Sequence, residues 1–159
     1  MPGMRYSKAM RSIPLYLLVL LVGTLGLGAV YGGGLLVLDP SGRRLGMPLA
    51  FLEHSPFNNF LVPGLLLLVF VGLLALLVAY GLVARPNWPY FEKLNVYTDR
   101  HWAWTFTLYT GFSLGIWINV QLLMLDAHSA LQPTYGLVAL AILVLALLPP
   151  VMTRYNKKS

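Results

Sequence analysis

The sequence predicts an all-α polytopic membrane protein: four transmembrane helices in an antiparallel bundle, with a short extracytoplasmic interfacial helix forming a lid. Three observations carry that expectation. Apolar residues make up 58% of the 159-residue chain and charged residues only 10%, where a soluble domain carries about 25% charge. The apolar residues gather in four long runs whose cores hold no Lys, Arg, Asp, Glu or His. The basic residues fall unequally on the segments that join those runs.

A spanning helix needs roughly 20 apolar residues to cross about 30 Å of hydrocarbon at about 1.5 Å per residue. The runs 13–37, 60–84, 102–125 and 133–152 meet that length, so residues 1–159 read as a single four-helix transmembrane domain. Arg5, Lys8 and Arg11 ahead of the first run imitate the basic start of a secretory signal. The run is too long for a signal core, and Gly32-Gly33-Gly34 leads into more apolar chain instead of a small-x-small cleavage site. It is therefore read as a retained span.

Between the first two runs lies the outer lid, 38–59. Asp39-Pro40-Ser41-Gly42 has the composition of a turn. Pro48 opens a short amphipathic piece in which Leu49 and Leu52 face lipid or protein while Glu53 and His54 face water. Ser55 is placed to cap a helix beginning at Pro56, and Pro63-Gly64 then interrupts it. A kinked start to the second span, or a short interfacial helix before it, is expected. The aromatic stretch Pro86 to Trp104 reads as a belt at the opposite membrane surface.

Lys and Arg fix the orientation. The N-terminal tail, the second connection (Arg85, Lys93, Arg100) and the C-terminal tail (Arg154, Lys157, Lys158) hold nine of them, against Arg43 and Arg44 in the first connection and none in the third. Both termini are expected in the cytoplasm of a bacterium, with the spans in its inner membrane. The formal charge of +6 then meets anionic lipid at the inner leaflet. The dispersal of these residues over three segments argues against nucleic acid as a partner.

Helices in lipid associate through small residues and a few hydrogen bonds. Thr24, Gly28 and Gly32 share one face of the first span, and Gly111, Gly115 and Asn119 share one face of the third. Those faces are the expected packing seams. On the far side of the third span Thr110, Ser113, Trp117 and Gln121 fall within roughly 80° of one another at about 100° per residue. An unpaired amide in hydrocarbon costs several kcal/mol, so Gln121 should point inward. The fourth span reads as uniformly apolar, offering no polar group to a central pathway.

Titratable groups converge in one place only. Asp39, Glu53, His54, Asp126 and His128 are expected near the outer surface, with Asn119 and Gln121 one to two turns below. Two imidazoles and three carboxylates suit a divalent metal or proton transfer, although no H-x-x-x-H or H-E-x-x-H spacing is present. Metal identity and cofactor stay open. A bis-His haem is disfavoured because His101 falls at the opposite surface from His54 and His128, and an ion-coupled pump because no ionisable residue lies within a span. The absence of cysteine removes disulfide and thiolate chemistry.

The segments YGGGLLVLDPSGRRLGMPLAFLEHSPFNNFLVPG (Tyr31 to Gly64), WINVQ (Trp117 to Gln121) and LQPTYG (Leu131 to Gly136) together resemble an uncharacterised family of small bacterial four-span integral membrane proteins. Size and topology are also loosely similar to DoxX-like proteins. The first resemblance implies the four-span plan and assigns no catalytic or binding residue. Two functions remain. The first is a non-enzymatic accessory or lipid-interacting subunit that packs against a second copy or a larger membrane complex. The second binds a small amphipathic ligand (a quinone or lipid) or a metal ion in an outer pocket under the first connection, with Asp39, Glu53, His54, Trp117, Asn119, Gln121, Asp126 and His128 as candidate contacts.

Overall fold

The structure is a computed structural model that describes residues 8–124 and 130–157, with side chains from residue 13 to residue 123 and from residue 130 onward. It is all-helical, with no strand among the described residues. In chain order the helices are α1 (Lys8–Leu38), α2 (Leu61–Ala84), α3 (Pro89–Lys93), α4 (Trp102–Met124), α5 (Leu131–Leu147) and α6 (Pro149–Met152). Among the described residues three stretches are long and apolar enough to cross a membrane, Ile13–Leu38, Leu61–Ala84 and Trp102–Leu123. A fourth is added if Leu131–Leu147 and Pro149–Tyr155, bent by 63° relative to each other, make one span. Their outer faces are as apolar as their inner ones: Leu20, Val83 and Leu123 are 61%, 69% and 82% exposed, the pattern of helices solvated by lipid.

α1 and α2 pack through backbone. A Cβ added to Gly33 would sit 2.7 Å from the Leu68 nitrogen and 2.9 Å from the Gly64 oxygen, and one added to Gly64 would sit 2.7 Å from Leu36. Gly72 lies equally close to Val30, and Gly26 to Leu76. The seam therefore runs along Gly26, Val30 and Gly33 of α1 against Gly64, Leu68, Gly72 and Leu76 of α2, positions three and four apart on each helix. The expected Thr24–Gly28–Gly32 face is a neighbouring one. Thr24 is exposed and donates to its own helix at Leu20 O, 2.8 Å away, while Gly28 and Gly32 have nothing nearer than 3.8 Å. On α4, Gly111 does pack closely, 2.7 Å from Leu143 of α5, but Gly115 faces open space.

The second span begins at Leu61, not at Pro56. Pro63 occupies the first turn, where its missing N–H has no intrahelical acceptor to lose, so it starts the helix without breaking it. Ser55 instead closes a local turn, donating to Leu52 O at 2.9 Å and accepting from Phe57 N at 3.2 Å. Deeper in α2, residues Leu67–Leu73 widen into a π-helical segment. The expected interfacial helix of the connection 38–60 is two 3₁₀ turns, Arg43–Leu45 and Leu49–Leu52.

Prolines dictate the bonding at the other end of the molecule. Pro86 has no N–H for the carbonyl of Leu82, and the Tyr155 hydroxyl donates to that oxygen at 2.7 Å. Pro150 likewise leaves Ala146 without its helical donor, and Trp104 Nε1 donates there at 2.8 Å. The Pro149-Pro150 pair also ends α5 at Leu147, with Leu148 extended (ψ 134°); the fourth run is thus helical to Leu147 and bent beyond it. Trp102 Nε1 donates to Pro86 O at 2.8 Å. Trp102 and Trp104 are buried, so this stretch of the aromatic belt is a packed joint, with Tyr90 (81% exposed) left at its rim.

Two outcomes follow. Gly33→Ala should cost about 1–3 kcal/mol by overpacking the seam, whereas Gly34→Ala, with nothing within 4 Å of its Cβ, should gain up to about 1 kcal/mol of helix propensity; thermal unfolding in detergent micelles separates the pair. Trp104→Phe keeps a ring but orphans the Ala146 carbonyl, and should cost about 1–3 kcal/mol in the same assay.

Candidate functional site

The connection 38–60 is held down by a small apolar cluster. Leu52 and Phe60 pack against Leu36 at the end of α1, with Leu45, Met47, Phe51 and Phe57 around them. Phe60 N donates to Pro40 O at 2.9 Å, closing the loop. Gly42 adopts φ 74°, and a Cβ there would meet the Phe60 ring at 2.8 Å, so both conformation and space require glycine. Asp39 accepts from the Ser41 hydroxyl at 2.5 Å and from the Ser41 amide at 3.3 Å. Those bonds from Ser41 hold its carboxyl below the usual range, and its work is to shape the turn.

Beneath this loop lies a cavity of about 710 Å³, within the range of about 300–1,000 Å³ common for small-molecule sites. α1 contributes Leu25, Gly28, Ala29 and Gly32; the loop contributes Leu45, Gly46, Met47 and Phe51. α2 adds Leu67 and Val71 from its π-helical segment, α4 adds Leu114, Trp117, Ile118 and Gln121, and α5 adds Leu131, Gln132 and Tyr135. A second void of about 190 Å³ extends between α2 and α4 under Phe57 and Phe60, and it shares Leu45, Met47, Leu67, Trp117 and Gln121 with the first. Among the described residues no charged side chain lines either one. The Gln121 amide, on the wall common to both, finds no hydrogen-bond partner among the described residues. Gln132 is buried on the facing helix.

The expected site residues divide accordingly. Trp117 and Gln121 meet in the cavity, together with Gly28 and Gly32, which were expected at a packing seam. Glu53 and His54 are exposed on the loop and line neither void. Asn119 is exposed and donates to Gly115 O at 2.8 Å, on the opposite side of α4 from Trp117. Asp126 and His128 lie outside the described residues, and with them the metal-binding convergence. Among the described residues no three His, Asp or Glu side chains come together. The helix begins at Leu131, ahead of the expected span 133–152, so Gln132, expected in the connection, joins Tyr135 three residues on along one face of α5, and both line the cavity. That i, i+3 spacing was the signal in the sequence that would have found them.

At the other end of the molecule a polar cluster joins the second connection to the C-terminal tail. Glu92 pairs with Lys157 Nζ at 2.6 Å and accepts from Asn95 and from the Trp102 amide. Asn95, buried, also donates to Arg100 O and accepts from Thr105 at 2.5 Å. His101 Nε2 lies 3.2 Å from Pro86 O while Nδ1 accepts from the Ala103 amide at 3.2 Å, which suits the neutral ring. The backbone finishes the joint with His101 N to Tyr155 O and Lys157 N to Asp99 O, each 2.8 Å. The Glu92, Asn95 and His101 side chains all have protein partners, which marks the cluster as a structural clamp.

Comparison with protein-family models, curated proteins and solved structures yields no match.

The clamp has a pH signature. Desolvation lowers the His101 pKa from its ordinary 6.5, outweighing the nearby Glu92 charge. Burial of Glu92 opposes its ionisation, but the bonds from Lys157, Asn95 and Trp102 outweigh it and lower the pKa from 4.5. In both cases the unfolded chain takes up protons first, so stability present at neutral pH is lost on acidification. Unfolding temperature should fall as pH drops below 6.5 and further below 4.5, and His101→Gln should remove the first phase alone.

Proposed function

We propose that this is a multi-pass protein of a bacterial inner membrane that holds one small amphipathic molecule with an uncharged polar head in the cavity under the connection 38–60. The helices form an antiparallel four-span bundle, of which the family resemblance is the sequence counterpart, and the connection is its outer lid. The nine-against-two division of Lys and Arg supports cytoplasmic termini, and puts the cavity toward the outer leaflet. The observation that carries the reading is the Gln121 amide, without a partner among the described residues, on the wall of a mostly apolar cavity, where it is open to a hydrogen-bonding ligand.

An uncharged head is favoured because among the described residues no Lys, Arg, Asp or Glu lines the space, and an unpaired charge there would cost far more than a hydrogen-bonding group. A quinone carbonyl, or the hydroxyl or ester of a neutral lipid, meets an amide well. The protein is read as a binding protein, not an enzyme. An accessory role beside a larger partner is the second reading, favoured by the exposed face of α4 on which Gly115, Asn119, Phe112 and Ile116 lie.

Native mass spectrometry of protein extracted gently from its own membrane tests the proposal. A retained small molecule is expected, and Gln121→Leu should lower its retention roughly 2- to 10-fold, the worth of about one hydrogen bond. Protein that leaves the membrane bare, or bound only to copies of itself or another subunit, would hand the conclusion to the accessory role.

A further inference from the structure

Several residues that line the larger cavity also lie on the outer surface of the molecule. Gly28 of α1 is exposed, and Leu131 and Tyr135 of α5 are 64% and 37% exposed. A residue that belongs to both an interior wall and an exterior surface marks a mouth, and this one opens between α1 and α5. Its surroundings on α1 are Leu27 and Tyr31, 64% and 70% exposed, an apolar rim with tyrosine at its edge. A Cβ at Gly28 would lie 3.8 Å from the Tyr135 hydroxyl, so any longer side chain at position 28 would reach across the gap. On the loop side the contact with the cavity is narrower: Gly46 is exposed, while Leu45, Met47 and Phe51 beside it are half-buried.

We infer that the cavity is loaded sideways from the bilayer, through a portal between α1 and α5 that Gly28 holds open, and that its ligand class is therefore a tailed, uncharged lipid or quinone dissolved in the membrane. The head passes to Gln121, and the hydrocarbon tail stays in the portal among lipid chains. This inference rests on the cavity being a binding site, and it adds the route and the tail.

The test is exchange. Protein in phosphatidylcholine vesicles is mixed with vesicles carrying deuterated dioleoylglycerol or a deuterated decyl benzoquinone, and the bound probe is followed in time by native mass spectrometry. Gly28→Phe should slow exchange roughly tenfold or more, as a gated association does, and adding Tyr135→Ala should restore it, which a misfolded variant would not show. Arg44→Trp, on the exposed side of the loop and lining neither void, should leave the rate unchanged. Slowing by Arg44→Trp, or an unchanged rate in Gly28→Phe, would overturn the portal while leaving occupancy standing. Failure of the wild-type chain to take up either probe would overturn both.

Discussion

The rest of the structure depends on the approach of two backbones. Gly33 and Gly64 have no side chains, so α1 and α2 close to a distance at which a single Cβ would collide with the opposing main chain. In lipid, where apolar side chains gain little by leaving one apolar medium for another, such packing is the main attraction open to helices. Its position also decides what the other faces of α1 can do. With Gly26, Val30 and Gly33 packed on α2, the helical repeat turns Gly28 toward Tyr135 of α5 and leaves Gly32 3.8 Å from Leu67 of α2, so that missing side chains leave space. The same pairing brings the end of α1 beside the start of α2, and the connection 38–60 folds over that junction on Leu36 and Phe60.

The opposite end is governed by hydrogen-bond accounting. A carbonyl without a donor is costly anywhere and most costly in hydrocarbon. Pro86 and Pro150 each create one, and each is met by an aromatic donor brought from far along the chain, Tyr155 and Trp104. Those aromatic donors also supply bulk, so the proline that ends a helix and the ring that repairs it become the joint that locks α2, α4 and the C-terminal tail together. The cavity lies beside the glycine seam, between α1 and α5 under the connection 38–60, away from the end where the carbonyls are repaired.

Much of the architecture was legible because hydropathy and helix length are properties of composition. The starts and ends of α1, α2 and α4 fall within a few residues of the apolar runs. The packing seam was not legible: α1 has several glycines, Gly26, Gly28, Gly32 and Gly33 among them, and spacing alone favoured the i, i+4 row that happens to face space. Only the partner helix distinguishes a glycine that is crowded from one that is empty. Pro63 shows the same limit, since a proline breaks a helix or begins it according to where the helix starts. Trp117 and Gln121 were found from their shared face, because a polar stripe on an apolar helix has few reasons to exist. Gln132 and Tyr135 were hidden by the apolar average of the run that follows them.

The lining that the described residues give the cavity, with no charged side chain among them, has a further physical meaning. A membrane protein that moves ions keeps ionisable groups at depth because it must trade charge for hydration; this cavity holds amides, a phenol and an indole instead. Such groups donate and accept without changing protonation across the physiological range, so occupancy should respond to the ligand's own hydrogen-bonding pattern and tail and not to pH. Glu92 and His101 sit in the clamp at the other end, each already bonded to neighbouring protein groups. The molecule thus separates a polar joint that fixes its shape from a cavity whose described lining offers shape and a few neutral hydrogen-bonding groups.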